Sequence, residues 1–215
     1  MLRSSTELIR YDVEAADGRA GTVRDFYFDD RTWTIRYIAV ETNGLLNSDR
    51  VLITPQSVRE LKFPDESFVL GLKLSEVETS CGTDMLSQSW GQNGTAGTGT
   101  PAKVGETPLR SIATISHFSI SGSDAPLGYL NGLLIETTTW SIRYLIVDTG
   151  RLLPGKLVLL SPRSITSIDW EQKIVRFDLT SDAVKNSPRY DVDAQLNREY
   201  EAFLHDYYGW PPYWL

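Results

Sequence analysis

The chain has 215 residues, 41% of them hydrophobic and 11% aromatic, enough to furnish one large core or two small ones. A formal charge of −7 and a pI near 4.9 argue against a nucleic-acid backbone as a direct partner, because neutralising phosphates takes clustered Lys and Arg. The single cysteine, Cys81, excludes an intrachain disulfide and a cysteine metal cluster, and reads as a small apolar residue rather than a reactive thiol.

The opening stretch MLRSSTELIRYD holds no apolar core of signal-peptide length, and no uncharged run approaches about 18 residues. The expectation is a cytoplasmic protein with no transmembrane segment. Asp17-Gly18 then signals a tight turn, and TVRDFYFDD alternates as a strand up to the turn residues Asp29 to Thr32. In TWTIRYIAV, Trp33, Ile35, Tyr37 and Ala39 point one way while Thr34, Arg36, Ile38 and Val40 point the other. Both sets carry apolar groups, so the strand is predicted to be buried on both faces, as in a small barrel or sandwich. Val51-Leu52-Ile53 forms a short strand ending at Pro55, where the missing N–H suits a strand end. Two further strands are predicted near 57–62 and 67–72.

The phrase recurs. Between 32–58 and 139–165, at an offset of 107, thirteen positions are identical without a gap: Thr32, Trp33, Ile35, Arg36, Tyr37, Val40, Thr42, Leu45, Leu46, Val51, Leu52, Pro55 and Ser57. The offset continues more faintly outside this core, with Tyr11 meeting Phe118, Asp17 meeting Asp124, and Gly21 meeting Gly128. Each copy spans about 70 residues, the size of one small domain rather than a solenoid unit. The predicted division is a first β-barrel over 1–79, a flexible Gly/Thr/Ser-rich linker over 80–107, a second barrel over 108–186, and a helix with an aromatic tail over 187–215. The linker contains few large apolar residues to offset the entropy of ordering. In the last segment Leu196, Tyr200, Phe203, Leu204 and Tyr207 fall at helical spacing and are predicted to form the buried face of a terminal helix. The aromatic and proline residues from Tyr208 to Leu215 fit either packing against a barrel or an exposed adhesive peptide.

The pattern Gly21-x-Val23, Phe28-Asp29, Trp33-x-Ile35-Arg36-Tyr37, Val40-x-Thr42 and Val51-Leu52-Ile53-x-Pro55 resembles the PRC-barrel family. The second copy matches it too. The run from Ser187 to Trp214 looks like the tail that follows such domains in stand-alone bacterial proteins. The resemblance implies a mainly β chain of two tandem, small antiparallel PRC-type β-barrels with a short C-terminal helix and aromatic tail. Family members include the cytoplasmic part of the photosynthetic reaction-centre H subunit and the end of a ribosome-maturation factor, where the barrel contacts a ribosomal protein. No motif transfers proton-carrying positions from the former to this chain.

Catalytic constellations are not visible. His117, placed in the predicted strand SHFSI, and His205 have no paired-His spacing, and Ser119 to Ser123 lack the setting of a nucleophile elbow. Asp17 and Asp124 recur because both open turns. Arg36 and Arg143 sit inside apolar strands and need acceptors; Glu41 and Asp148, equivalent across the copies, are the predicted partners. Trp33, Arg36, Tyr37, Trp140, Arg143 and Tyr144 are read as repeat-equivalent structural residues.

The leading functional expectation is a non-enzymatic adaptor with a protein partner, able to associate peripherally with a membrane complex, with self-association left open. No cofactor, metal or direct nucleic-acid contact is expected. The alternatives are a reaction-centre accessory or quinone and small-molecule binder, and a ribosome or RNA-processing cofactor. Candidate protein-binding residues are those that differ between copies, Asn47, Ser48, Asp49 and Arg50 against Pro154, Gly155, Lys156 and Leu157, together with Tyr208, Trp210, Tyr213 and Trp214 of the tail.

Overall fold

The computed structural model describes residues 1–42, 50–63, 65–79, 109–150, 156–192, 194 and 196–214. Among them the chain is mainly β, with fourteen strands, short helices and one longer helix near the C-terminus. The predicted linker over 80–107, with Cys81, lies outside the described residues. No helix among those described is long and apolar enough to cross a membrane.

In the first copy the strands are β1 (Leu2–Ser4), β2 (Asp12–Ala15), β3 (Gly18–Asp29), β4 (Thr34–Thr42), β5 (Arg50–Ile53), β6 (Val58–Lys62) and β7 (Ser67–Leu70). Two short helices accompany them, α1 (Ser5–Leu8) and α2 (Leu74–Glu78). The second copy supplies β8 (Leu109–Ser111), α3 (Ile112–Ile115), β9 (Ser119–Ser121), β10 (Pro126–Glu136), β11 (Ser141–Asp148), β12 (Leu157–Leu160), β13 (Ile165–Asp169), β14 (Ile174–Phe177) and α4 (Ser181–Asn186). Each follows its counterpart by about 107 residues. Among the described elements, α5 (Arg198–Tyr208) alone has no counterpart.

Among the described residues the ladders are mostly antiparallel, with a parallel pairing in each copy: β2 with β7 and β9 with β14. Thr54, Pro55 and Ser57, like Ser161, Pro162 and Ser164, form a 3-10 turn that starts the run into β6 or β13. Proline fits there because its missing N–H falls in the first turn, where no donor is needed.

The chain divides into two compact units that do not follow the copies. Unit 1 contains Met1, Arg3–Ser116 and Leu133–Arg143; unit 2 contains Leu2, His117–Gly132 and Tyr144–Leu215. Within unit 1, β8 of the second copy pairs with β3 of the first, setting Tyr27 against Ser111 and Asp29 against Leu109. Reciprocally, β1 pairs with β10, and the Ser5 hydroxyl accepts the Leu133 N–H at 3.1 Å. The initial segments are thus exchanged between copies. Ile112 and Ile115, 1% and 0% exposed, hold α3 in unit 1. Burying each is worth about 1.5–3 kcal/mol. The buried Asp25 carboxylate secures the same segment, accepting from the Ser111 hydroxyl at 2.5 Å and the Ala113 N–H at 3.1 Å.

The hairpin tips also meet inside unit 1. Ile35 N–H donates to the Trp140 carbonyl at 2.8 Å and Ile142 N–H to the Trp33 carbonyl at 2.7 Å, flanking the pair Thr34 and Ser141. Both tryptophans were expected in the strand; instead each ends the turn with a left-handed φ, 52° for Trp33 and 57° for Trp140. The Trp33 N–H closes that turn onto the Asp29 carbonyl at 2.8 Å, and the Trp140 N–H onto that of Glu136 at 2.7 Å. The rings are stacked, Trp33 on Phe28 at 5.3 Å and Trp140 on Phe68 at 6.2 Å. Along β4 burial runs through Ile38, Ala39 and Val40 consecutively, so both faces are covered there, while Arg36 is exposed and Tyr37 half-buried.

His117 also departs from expectation. It is exposed in the turn after α3 with φ 71°, and β9 begins only at Ser119.

Candidate interaction site

Arg36 and Arg143 do not pair with Glu41 and Asp148. Arg36 reaches Asp29 at 3.3 Å, and Arg143 Nε reaches Glu136 at 3.0 Å. Asp29 also accepts from the Arg31 N–H at 2.9 Å, and Glu136 from the Thr139 hydroxyl at 2.5 Å. Each arginine therefore braces the turn seven residues behind it. The reason is register: the strand runs back along its own hairpin, which brings residue i beside the turn carboxylate rather than the strand end. Glu41 is taken instead by Arg24, whose Nε lies 2.6 Å away.

Asp17 and Asp124 each accept the N–H at the first position of a helix. Leu74 of α2 donates to Asp17 and Ser181 of α4 to Asp124, both at 2.8 Å. Ser181 adds a hydroxyl bond at 2.9 Å, and these two bonds hold the Asp124 carboxyl below the usual carboxylate range.

Of the residues that differ between copies, Asn47, Ser48, Asp49, Pro154 and Gly155 lie outside the described residues. Arg50 opens β5 opposite Glu41 and is exposed. Lys156 and Leu157 are not a free loop. The Lys156 ammonium donates to the Lys185 carbonyl, with burial pushing its pKa down, and the Leu157 carbonyl accepts from Tyr190 at 2.8 Å. That strand start thus anchors the chain leading to the tail.

The tail gathers in unit 2 around Tyr144. α5 starts at the Asn197 cap, whose side chain accepts the Tyr200 N–H at 2.8 Å, and stops at Gly209 with φ 68°. Its buried face is only partly the one expected. Leu204 is buried as predicted, but Phe203 is 60% exposed and Tyr207 is exposed too, while Glu201 and His205 are turned inward. Tyr144, 0% exposed, places its hydroxyl 2.7 Å from His205 Nε2 and 3.1 Å from Glu201 Oε1. The Tyr213 hydroxyl donates to the same Oε1 at 2.5 Å, and Arg198 holds Oε2 at 3.0 Å.

His205 Nδ1 lies 3.2 Å from the Pro211 carbonyl, which can only accept, so Nδ1 carries the proton and Nε2 is left to accept from Tyr144. Burial pushes the Tyr144 and Tyr213 hydroxyls well up and the His205 imidazole down. Trp214 lies against the imidazole at 4.7 Å and beneath the Arg198 guanidinium at 4.4 Å. Tyr208 stacks on Trp210 at 4.3 Å, and the Trp210 indole donates to Ser164 at 2.9 Å. Tyr208, Trp210, Tyr213 and Trp214 are thereby folded back onto the second copy. Glu201 was not singled out from the sequence. Its position four residues before His205, with Leu204 between, was the available sign that both share one helix face.

Residues 2–68 match the PRC-barrel domain family. The match falls within the first copy. No curated protein sequence matches the chain significantly. The PRC-barrel assignment covers β1 to the start of β7, and therefore includes the exchanged strand β1, the braced turn at Asp29 and the exposed Arg50.

Proposed function

We propose that the protein is a non-enzymatic adaptor, a duplicated PRC-barrel chain that binds another protein and helps to assemble or regulate a larger complex at the cytoplasmic face of a membrane. The observation that carries this reading is the match of residues 2–68 to the PRC-barrel, a domain type associated with protein interaction. The exposed Arg36 and Arg50 and the half-buried Tyr37 of that copy offer polar and aromatic groups of the kind enriched at interfaces.

The test is affinity purification from native lysate with the tagged full chain, followed by stoichiometry and sedimentation. One protein partner, retained in fixed ratio and removed by competing untagged chain, is the expected result. The absence of any stable partner, together with saturable binding of a quinone or metabolite, overturns the reading in favour of a small-molecule role.

A further inference from the structure

Tyr37 and Tyr144 hold equivalent places in the two copies and meet different surroundings. Over Tyr144 lie α5 and the tail, so that its ring is wholly buried. Around it Ser161 is buried, the Ser164 hydroxyl accepts from the Trp210 indole, and the Arg163 guanidinium donates to the Pro211 carbonyl at 3.2 Å. The first copy repeats this framework as Tyr37, Thr54, Gln56 and Ser57. There Thr54 and Gln56 are exposed and Tyr37 and Ser57 half-buried. Thr54 and Ser57 hydrogen-bond to each other at 3.2 Å, and the Tyr37 hydroxyl makes no hydrogen bond among the described residues.

Two substitutions move the charge on the face: Gln56 stands where the second copy has Arg163, and Arg50 where it has Leu157. Arg50 is exposed and without an ion pair among the described residues. The segment that covers the twin face, 187–215, carries Asp191, Asp193, Glu199, Glu201 and Asp206 against Arg189 and Arg198, a formal charge of 2 − 5 = −3. A cationic residue at the rim favours an occupant of that sign.

We infer that the Tyr37–Arg50–Ser57 face of the first copy docks a partner protein through an acidic amphipathic helix followed by an aromatic and proline-rich segment, as α5 and the tail dock on the second copy. This inference rests on the adaptor reading and names its surface and the chemistry of its partner. The helix seats apolar and carboxylate side chains over Tyr37, an aromatic N–H reaches Ser57, and Arg50 meets the acidic flank.

The probe is a labelled synthetic peptide of residues 187–215, titrated into the intact chain. Saturable binding is expected, weakened about tenfold by Arg50→Leu, a change the second copy shows to be compatible with the fold, and weakened also by Tyr37→Phe. Tyr144→Phe, which loosens the chain's own tail, is expected to leave peptide affinity unchanged. Absence of binding, or binding indifferent to Arg50→Leu, overturns the inference. So does binding that appears only with Tyr144→Phe, because the peptide is then replacing the resident tail. Arg50-dependent dimerisation of the intact chain in sedimentation makes the occupant a second copy and overturns the partner named here. If Arg50→Leu leaves capture of a stoichiometric lysate partner intact, the surface fails while the adaptor reading stands. If the peptide binds and no lysate partner exists, the reverse holds.

Discussion

His205 is a side chain whose charge state reports on the tail. It faces the Tyr144 hydroxyl, Glu201, Tyr213, the Pro211 carbonyl, Trp210 and Trp214, with Arg163 close enough to disfavour its protonation further. Burial holds its pKa below the ordinary 6.5, and the Glu201 carboxylate offsets only part of that. The undocked histidine therefore takes up a proton first as pH falls. The docked tail keeps its full stability above about pH 6.5 and loses it progressively below. Thermal unfolding followed between pH 8 and 5 should show this loss in the native chain and a smaller one in His205→Gln. An equal pH dependence in both would mean that another group governs the transition.

At the scale of the element, the β10–β11 contact depends on one missing side chain. Gly128 has φ 153°, and a Cβ there would collide with the Asp148 carbonyl; Gly21, its counterpart with φ 158°, is pressed against the Glu41 carbonyl in the same way. Gly128→Ala is expected to cost at least ~2 kcal/mol in denaturant unfolding. Gly209→Ala, at φ 68° with no atom within 4 Å, should cost about 1–2 kcal/mol through backbone conformation alone. Equal effects would show that close approach is not what fixes Gly128. Much at this scale was legible beforehand. Period-two alternation located β3, β4 and their counterparts, and proline marked where β5 and β12 end, because local steric preferences decide both. Arg36 and Arg143 were legible as residues in need of acceptors, but not as braces, since hairpin register and its bulges are set by contacts across the turn. The buried face of α5 was legible at Leu204 but not around it, because hydropathy ranks Phe203 above Glu201 and His205. The Tyr144 hydroxyl donates to His205, and the Tyr213 hydroxyl and Arg198 guanidinium donate to Glu201, which makes the polar pair the better fit.

For the whole molecule, the decisive feature is that unit 1 takes segments from both copies. Leu2-Arg3-Ser4 and Leu109-Arg110-Ser111 are identical in sequence, a sign of the exchanged strands that extends the repeat upstream. Identity also hides the exchange, since either segment presents the same edge to β3 or β10. Cleavage at a protease site introduced within 80–107 should leave two fragments that co-elute under native conditions and part only in denaturant. A fragment of residues 1–79 made alone lacks β8 and should self-associate, a second copy of Leu2–Ser4 filling the vacant place beside Tyr27 to Asp29. Two fragments that separate as folded monomers would contradict the exchange. The same arrangement bears on heredity. A change in either Leu-Arg-Ser segment is felt first by the opposite half, so the two halves inherit each other's substitutions and cannot drift independently along those strands. Divergence has room where nothing is traded, at Arg50 against Leu157 and in a tail that only one half possesses.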